Sequence, residues 1–160
     1  MKPFNAVAIP TDVAESVRRN GKDPRFGHPA YTNTATESAP CRHCLRLIRP
    51  GEKQILFTYD AFEGTEKLPL PGPVYIHAEP CERYSEEGAF PPELRQSPRT
   101  LNAYAKGRRL LAAEYVDDAS IDSALAYLGA QPDVAYIHVR STAAGCFTFR
   151  MDVRHLSSGR

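Results

Sequence analysis

The chain has 160 residues, 42% of them hydrophobic and 24% charged, with a formal net charge of +1. Those proportions fit an ordinary soluble globular chain and exclude wholesale disorder, and the near-zero charge supplies no global field for nucleic acid or an anionic membrane. No stretch approaches 18 apolar residues and the N-terminus lacks the apolar core of a signal peptide, so the reading is one cytoplasmic globular domain over 1–160 without a membrane partner.

In chain order, Phe4 to Ile9 predicts a strand, and Thr11 is positioned to cap a short helix ending at Asn20-Gly21. Gly21 to Pro40 is polar and rich in Gly, Pro, Thr and Asn, a loop longer than the roughly 12–15 residues usual without a functional or disorder explanation. After Pro50-Gly51-Glu52, Gln54 to Tyr59 alternates as a strand with Ile55, Phe57 and Tyr59 on one face. A second loop runs through Pro69, Pro71 and Pro73 into a strand over Val74 to Ala78, and residues 82–98 read as mostly irregular.

Leu101 to Ala105 and Arg108 to Val116 flank Lys106-Gly107, which reads as a two-residue hairpin turn. Ile121, Ala124, Leu125 and Leu128 fall at helical spacing and predict a helix from Ser120 to Leu128, stopped by Gly129. Val134 to Arg140 and Cys146 to Val153 then form two strands joined by a turn. Strand parity puts Ile137, Val139 and Phe147 on the core side and sets His138 opposite Cys146 or Thr148 on the polar side. The expected fold is α+β: a mostly antiparallel sheet of about six or seven strands with one or two helices packed on it.

Four cysteines carry most of the chemical signal. Cys41 and Cys44 flank two residues, and His77 and Cys81 follow after a long gap. Two short-spaced pairs of soft ligands are how chains build tetrahedral zinc sites, so Cys41, Cys44, His77 and Cys81 are the candidate metal ligands and zinc the candidate cofactor. The alternative is that the thiols merely fill half-buried space. A redox role for Cys41-x2-Cys44 is weaker, because no substantial helix follows the motif.

Thiol catalysis needs a cysteine within reach of a histidine, which makes Cys41, His138 and Cys146 the candidate catalytic residues. Arg42, Arg83 and Arg140 lie beside these segments and suit a small anionic ligand. A homodimeric partner stays open, as does a protein–protein interaction domain without chemistry. No Gly-rich phosphate loop, serine nucleophile elbow or His-Glu-x-x-His sequence is present.

The entry through Cys41-Arg42-His43-Cys44 into Pro50-Gly51-Glu52 resembles the knuckle and hairpin of treble-clef zinc modules, and the gap to the His/Cys pair resembles the finger of poly(ADP-ribose) polymerases. Over most of the chain, Ala39-Pro40-Cys41-Arg42-His43-Cys44-Leu45, Pro50-Gly51-Glu52, Gly72-Pro73-Val74-Tyr75-Ile76-His77, Tyr136-Ile137-His138-Val139-Arg140 and Gly145-Cys146-Phe147 together resemble the bacterial family of unknown function DUF1203. The resemblance implies small single-domain proteins with no assigned activity. It also implies that Cys41, Arg42 and Cys146 recur more than Cys44, which favours a rival site of Cys41, Arg42, His138 and Cys146.

Overall fold

A computed structural model describes residues 3–62, 69–85 and 90–153. Parts of the two irregular stretches expected from sequence, 63–68 and 86–89, lie outside them. The described chain is mostly β with two α-helices: β1 Phe4–Val7, α1 Thr11–Asn20, β2 Tyr31–Thr34, β3 Ala39–Pro40, β4 Leu47–Ile48, β5 Lys53–Asp60 and β6 Pro71–His77, then β7 Arg99–Tyr104, β8 Leu110–Val116, α2 Ile121–Gly129, β9 Tyr136–Ser141 and β10 Phe147–Val153. Among the described residues no helix is long and apolar enough to cross a membrane.

The α+β class and the antiparallel pairing hold, but the single sheet of six or seven strands does not. A five-stranded sheet runs β1-β10-β9-β7-β8, a three-stranded sheet runs β2-β5-β6, and β3 with β4 forms a small hairpin. Alternation reveals which face of a strand is buried and says nothing about its neighbour. The free edge of β6 is also ill suited to another strand, because Pro71 and Pro73 have no N–H to offer.

Each larger sheet covers its own core. Leu101, Ala103, Ile137, Val139, Phe149 and Met151 join Ile121 and Leu128 of α2 in one cluster. Ile55, Phe57, Val74 and Ile76 join Ala14 and Val17 of α1, with Cys41 and Cys44, in the other. Helix α1 ends as its sequence suggests, with Gly21 at φ 64° donating its N–H to Val17 at 3.0 Å. Its start differs. Pro10 is the N-cap and Thr11 caps nothing, because its hydroxyl lies 2.9 Å from His43 Nε2 instead.

The β7–β8 connection is wider than a two-residue turn, closing with Ala105 N–H on the Arg109 carbonyl at 2.9 Å. The β9–β10 register also departs from expectation. His138 pairs with Arg150, because Ser141 N–H bonds the Cys146 carbonyl at 3.0 Å and so lengthens the turn. Parity survives for Phe149 with Val139 and Met151 with Ile137 but breaks between Phe147 and Phe149, where the register shifts. Phe147 therefore turns to the His138 side, with ring centroids 5.1 Å apart.

Candidate metal centre

Residues 41–46 form a tight knuckle across the top of the β3–β4 hairpin. Leu45 N–H bonds the Cys41 carbonyl and Cys41 N–H bonds the Arg46 carbonyl, both at 2.9 Å. Closing so short a turn demands a left-handed residue, and Leu45 takes it at φ 55°, a costly conformation for a side chain with a branched γ-carbon. Its side chain is fully buried in the first core cluster, and that burial holds the strain in place.

The knuckle lies against β6. Arg42 N–H bonds the Tyr75 carbonyl at 3.1 Å, and His77 N–H points at Cys41 Sγ at 3.3 Å. The result is that the ligand atoms of Cys41, Cys44, His77 and Cys81 all lie within 4.8 Å of one another. Cys41 and Cys81 sulfurs are 3.9 Å apart, and Cys44 Sγ is 3.5 Å from His77 Nδ1. A tetrahedral zinc with Zn–S near 2.3 Å and Zn–N near 2.0–2.1 Å requires S–S edges of about 3.8 Å and S–N edges of about 3.5 Å. The Cys41–Cys81 and Cys44–His77 separations match those edges.

A second ring of donors surrounds them. Arg18 Nη2 donates to Cys81 Sγ at 3.2 Å, and its Nε and Nη2 both donate to the His77 carbonyl at 3.1 Å. His43 Nδ1 lies 3.2 Å from Cys81 Sγ. Burial first, then Arg18, push the His43 pKa down, so the ring is neutral. With Nδ1–H donating to the sulfur, Nε2 accepts the Thr11 hydroxyl proton. Glu52 Oε1 is 3.6 Å from His77 Nε2, the outer-shell carboxylate that often orients a ligating imidazole.

The electrostatics split the two thiols of the knuckle. Hydrogen bonds from Cys44 and then Cys81 hold the Cys41 thiol well below the ordinary thiol range, while Cys44, bonded to Cys41 and Cys81, is pushed up. His77 is pushed up to about 10, chiefly by its hydrogen bonding to Cys41 and then Cys81. A Cys41 thiolate beside a His77 imidazolium is an arrangement in which a dication can replace the proton.

Arg42 and Arg83 are structural neighbours of this site. The Arg42 guanidinium is buried and donates to the Phe147 carbonyl at 2.9 Å and the Pro40 carbonyl at 2.8 Å, tying the knuckle to β10. Arg83 donates to the carbonyls of Ile9 and Ala8 at 3.1 and 2.7 Å. Arg140 lies apart, donating to Gly145 at the β9–β10 turn.

In the rival set of Cys41, Arg42, His138 and Cys146, Arg42 feels the charges of Cys146 and Cys41, and among the described residues no hydrogen bond joins Cys41, His138 and Cys146. His138 is fully buried, and neither ring nitrogen has a hydrogen-bond partner. Phe62, Tyr104, Tyr136 and Phe147 box it in, with centroids 4.5–5.3 Å away. The Cys146 thiol faces the Ala144 carbonyl at 3.7 Å. Sequence reasoning missed Thr11, Arg18, His43 and Glu52. Only His43, lying inside Cys41-x2-Cys44, carried a local signal.

Beside the centre opens a cleft of about 1030 Å3 whose walls include Cys44, His77 and Cys81. A family model described as "Protein of unknown function (DUF1203)" matches residues 38–153. No curated protein and no solved structure matches the chain.

Proposed function

We propose a zinc-binding role for this chain, which belongs to the DUF1203 family. One ion is held by Cys41, Cys44, His77 and Cys81, and the observation that carries the reading is the convergence of four soft ligand atoms from two separate segments to within 4.8 Å of one another.

The four ligands complete a tetrahedron, which is the pattern of structural zinc; catalytic sites characteristically keep one position for water. The ion's part is to pin the knuckle to β6 and to the segment after it. Three thiolates with a dication carry net charge −1, and Arg18 and buried Arg42 supply the neighbouring positive charge. An anionic ligand in the adjacent cleft is less well supported. Arg46, Arg49 and Arg83 line it, but so do Glu52, Glu82 and Glu93.

Metal analysis of protein purified without a histidine tag tests the reading. One equivalent of zinc is expected, lost in Cys41→Ser and His77→Ala. Protein that is metal-free and takes up no Zn(II) when titrated against a chromophoric chelator would overturn it.

A further inference from the structure

Strand β8 is an outer strand of the five-stranded sheet, and among the described residues nothing pairs with its far side. Sheet edges are ordinarily blunted by shortness, proline, lysine, a bulge or an inward-pointing charge. The opposite edge, β1, has only four residues, whereas β8 has seven, Leu-Leu-Ala-Ala-Glu-Tyr-Val, with neither proline nor lysine; a register shift near Leu110 and the core-side Glu114 are its only such devices among the described residues. Its Leu110 and Tyr115 are 54% and 76% exposed, and Tyr127 of the adjacent α2 is 56% exposed.

The charges around β8 decide what it fits. Arg108, stacked over the Phe62 ring, and Arg109 precede the strand, and Asp117 and Asp118 follow it; Arg95 pairs with Asp118 and Asp122, which leaves that end with a surplus of carboxylates. The edge is therefore basic at one end and acidic at the other. A second copy laid antiparallel sets each basic end along an acidic one, twice over by symmetry, whereas a parallel copy sets like against like.

We propose that this edge is a homodimer interface, with two β8 strands pairing antiparallel about a two-fold axis at Ala113 to give one continuous ten-stranded sheet. In that register Ala113 meets its own counterpart and Ala112 meets Glu114 of the second copy. Paired numbers keep the same parity, so Ala112 and Glu114, which lie opposite Ala103 and Leu101 of β7, stay on the core side. Tyr115 shares the other face with exposed Ala113 and lies diagonally across from Ala113 of the second copy, within reach of a tyrosine ring. The metal centre plays no part in this contact.

Sedimentation of the full chain tests the interface. The expected species has twice the 17.8 kDa chain mass at micromolar concentration. Ala113→Lys sets two ammonium groups against each other on the axis and is expected to weaken association by about a hundredfold. Ala113→Cys is expected to cross-link to a disulfide dimer under mild oxidation, because directly paired Cα atoms lie about 4.5–5.5 Å apart. Wild-type protein that is monomeric at 50 µM, Ala113→Lys protein that stays dimeric, or Ala113→Cys protein that dimerises without cross-linking would each overturn it.

Discussion

One guanidinium holds the last two candidate ligands together: Arg18 Nη2 lies 3.2 Å from Cys81 Sγ, and both Arg18 Nε and Nη2 donate to the His77 carbonyl at 3.1 Å. Arg18 belongs to the last turn of α1, so the packing of that helix on β5 and β6 sets the position of the outer shell. Removing an outer-shell partner typically costs about 10–100-fold in metal affinity. Arg18→Ala is expected to weaken zinc binding by that much while stoichiometry stays at one, read by chelator competition. Arg18→Lys should not restore it, because a single ammonium cannot reproduce a planar fork bonded to two acceptors. Unchanged affinity in Arg18→Ala would remove Arg18 from the site.

Arg42 is buried without a carboxylate partner among the described residues. Burial pushes its pKa down to about 10, and the negative charge that opposes the shift comes first from Cys146 and later from Cys41. Its donors satisfy the carbonyls of Phe147 and Pro40. Arg42→Met keeps much of the bulk but orphans both acceptors, so a loss of about 3 kcal/mol is expected in urea denaturation. A loss below about 1 kcal/mol would mean that the guanidinium does not clamp the knuckle to β10.

His138 gives stability an acid-side dependence. Burial first, then the charges of Arg140, Arg150 and Arg108, hold its pKa down at about 3, below the ordinary 6.5. Between those two values the unfolded chain binds the proton and the folded one does not, so folding stability is fully present above about pH 6.5 and falls as pH drops towards 3. The full effect is about 5 kcal/mol at 1.36 kcal/mol per unit. His138→Leu removes the titrating group and two unpartnered buried nitrogens, and it should flatten this part of the pH profile in chemical denaturation. A profile equally steep in the variant would assign the effect to other groups.

How far the sequence could be read follows from the range of each interaction. Cys41-x2-Cys44 and His77-x3-Cys81 are short spacings, legible as candidate ligand pairs, but whether the two pairs converge was not legible, because that depends on the knuckle packing against β6 through the Arg42 to Tyr75 hydrogen bond. Arg18 is a surface-type residue on a short helix, and nothing local marks that its guanidinium reaches 63 positions along the chain to Cys81. The longer strands were visible as alternation while β2, β3 and β4 were not, and β5 and β6 could not be separated from the larger sheet without knowing their neighbours. His138 shows the same limit. Parity placed it on a face, and the turn that closes through Ser141 and Cys146 decided what it met there.

The stretch from Gly21 to Pro40 reads from composition as one long irregular loop, and its first turn is built around a single buried carboxylate. Asp23 accepts the N–H groups of Arg25, Phe26 and His28 at 3.1, 2.6 and 2.7 Å, and Asp23 N–H closes the turn on the His28 carbonyl at 3.0 Å. Lys22 and Pro29 form an isolated bridge beneath it, and β2 then pairs with β5. Asp23→Ala strips three backbone donors of their acceptor at a site that is 1% exposed. An orphaned buried donor costs about 1–3 kcal/mol, and solvent reaching the loosened turn relieves part of the total, so a loss of about 3 kcal/mol is expected. The turn should also open locally, with trypsin cleaving after Arg25 well before the β5–β6 pair is lost. Asp23→Asn keeps one oxygen acceptor and should lose less. Equal stability in wild type and Asp23→Ala, with Arg25 still resistant to trypsin, would show that the bridge, β2 and the Arg25–Asp60 ion pair hold the loop without Asp23.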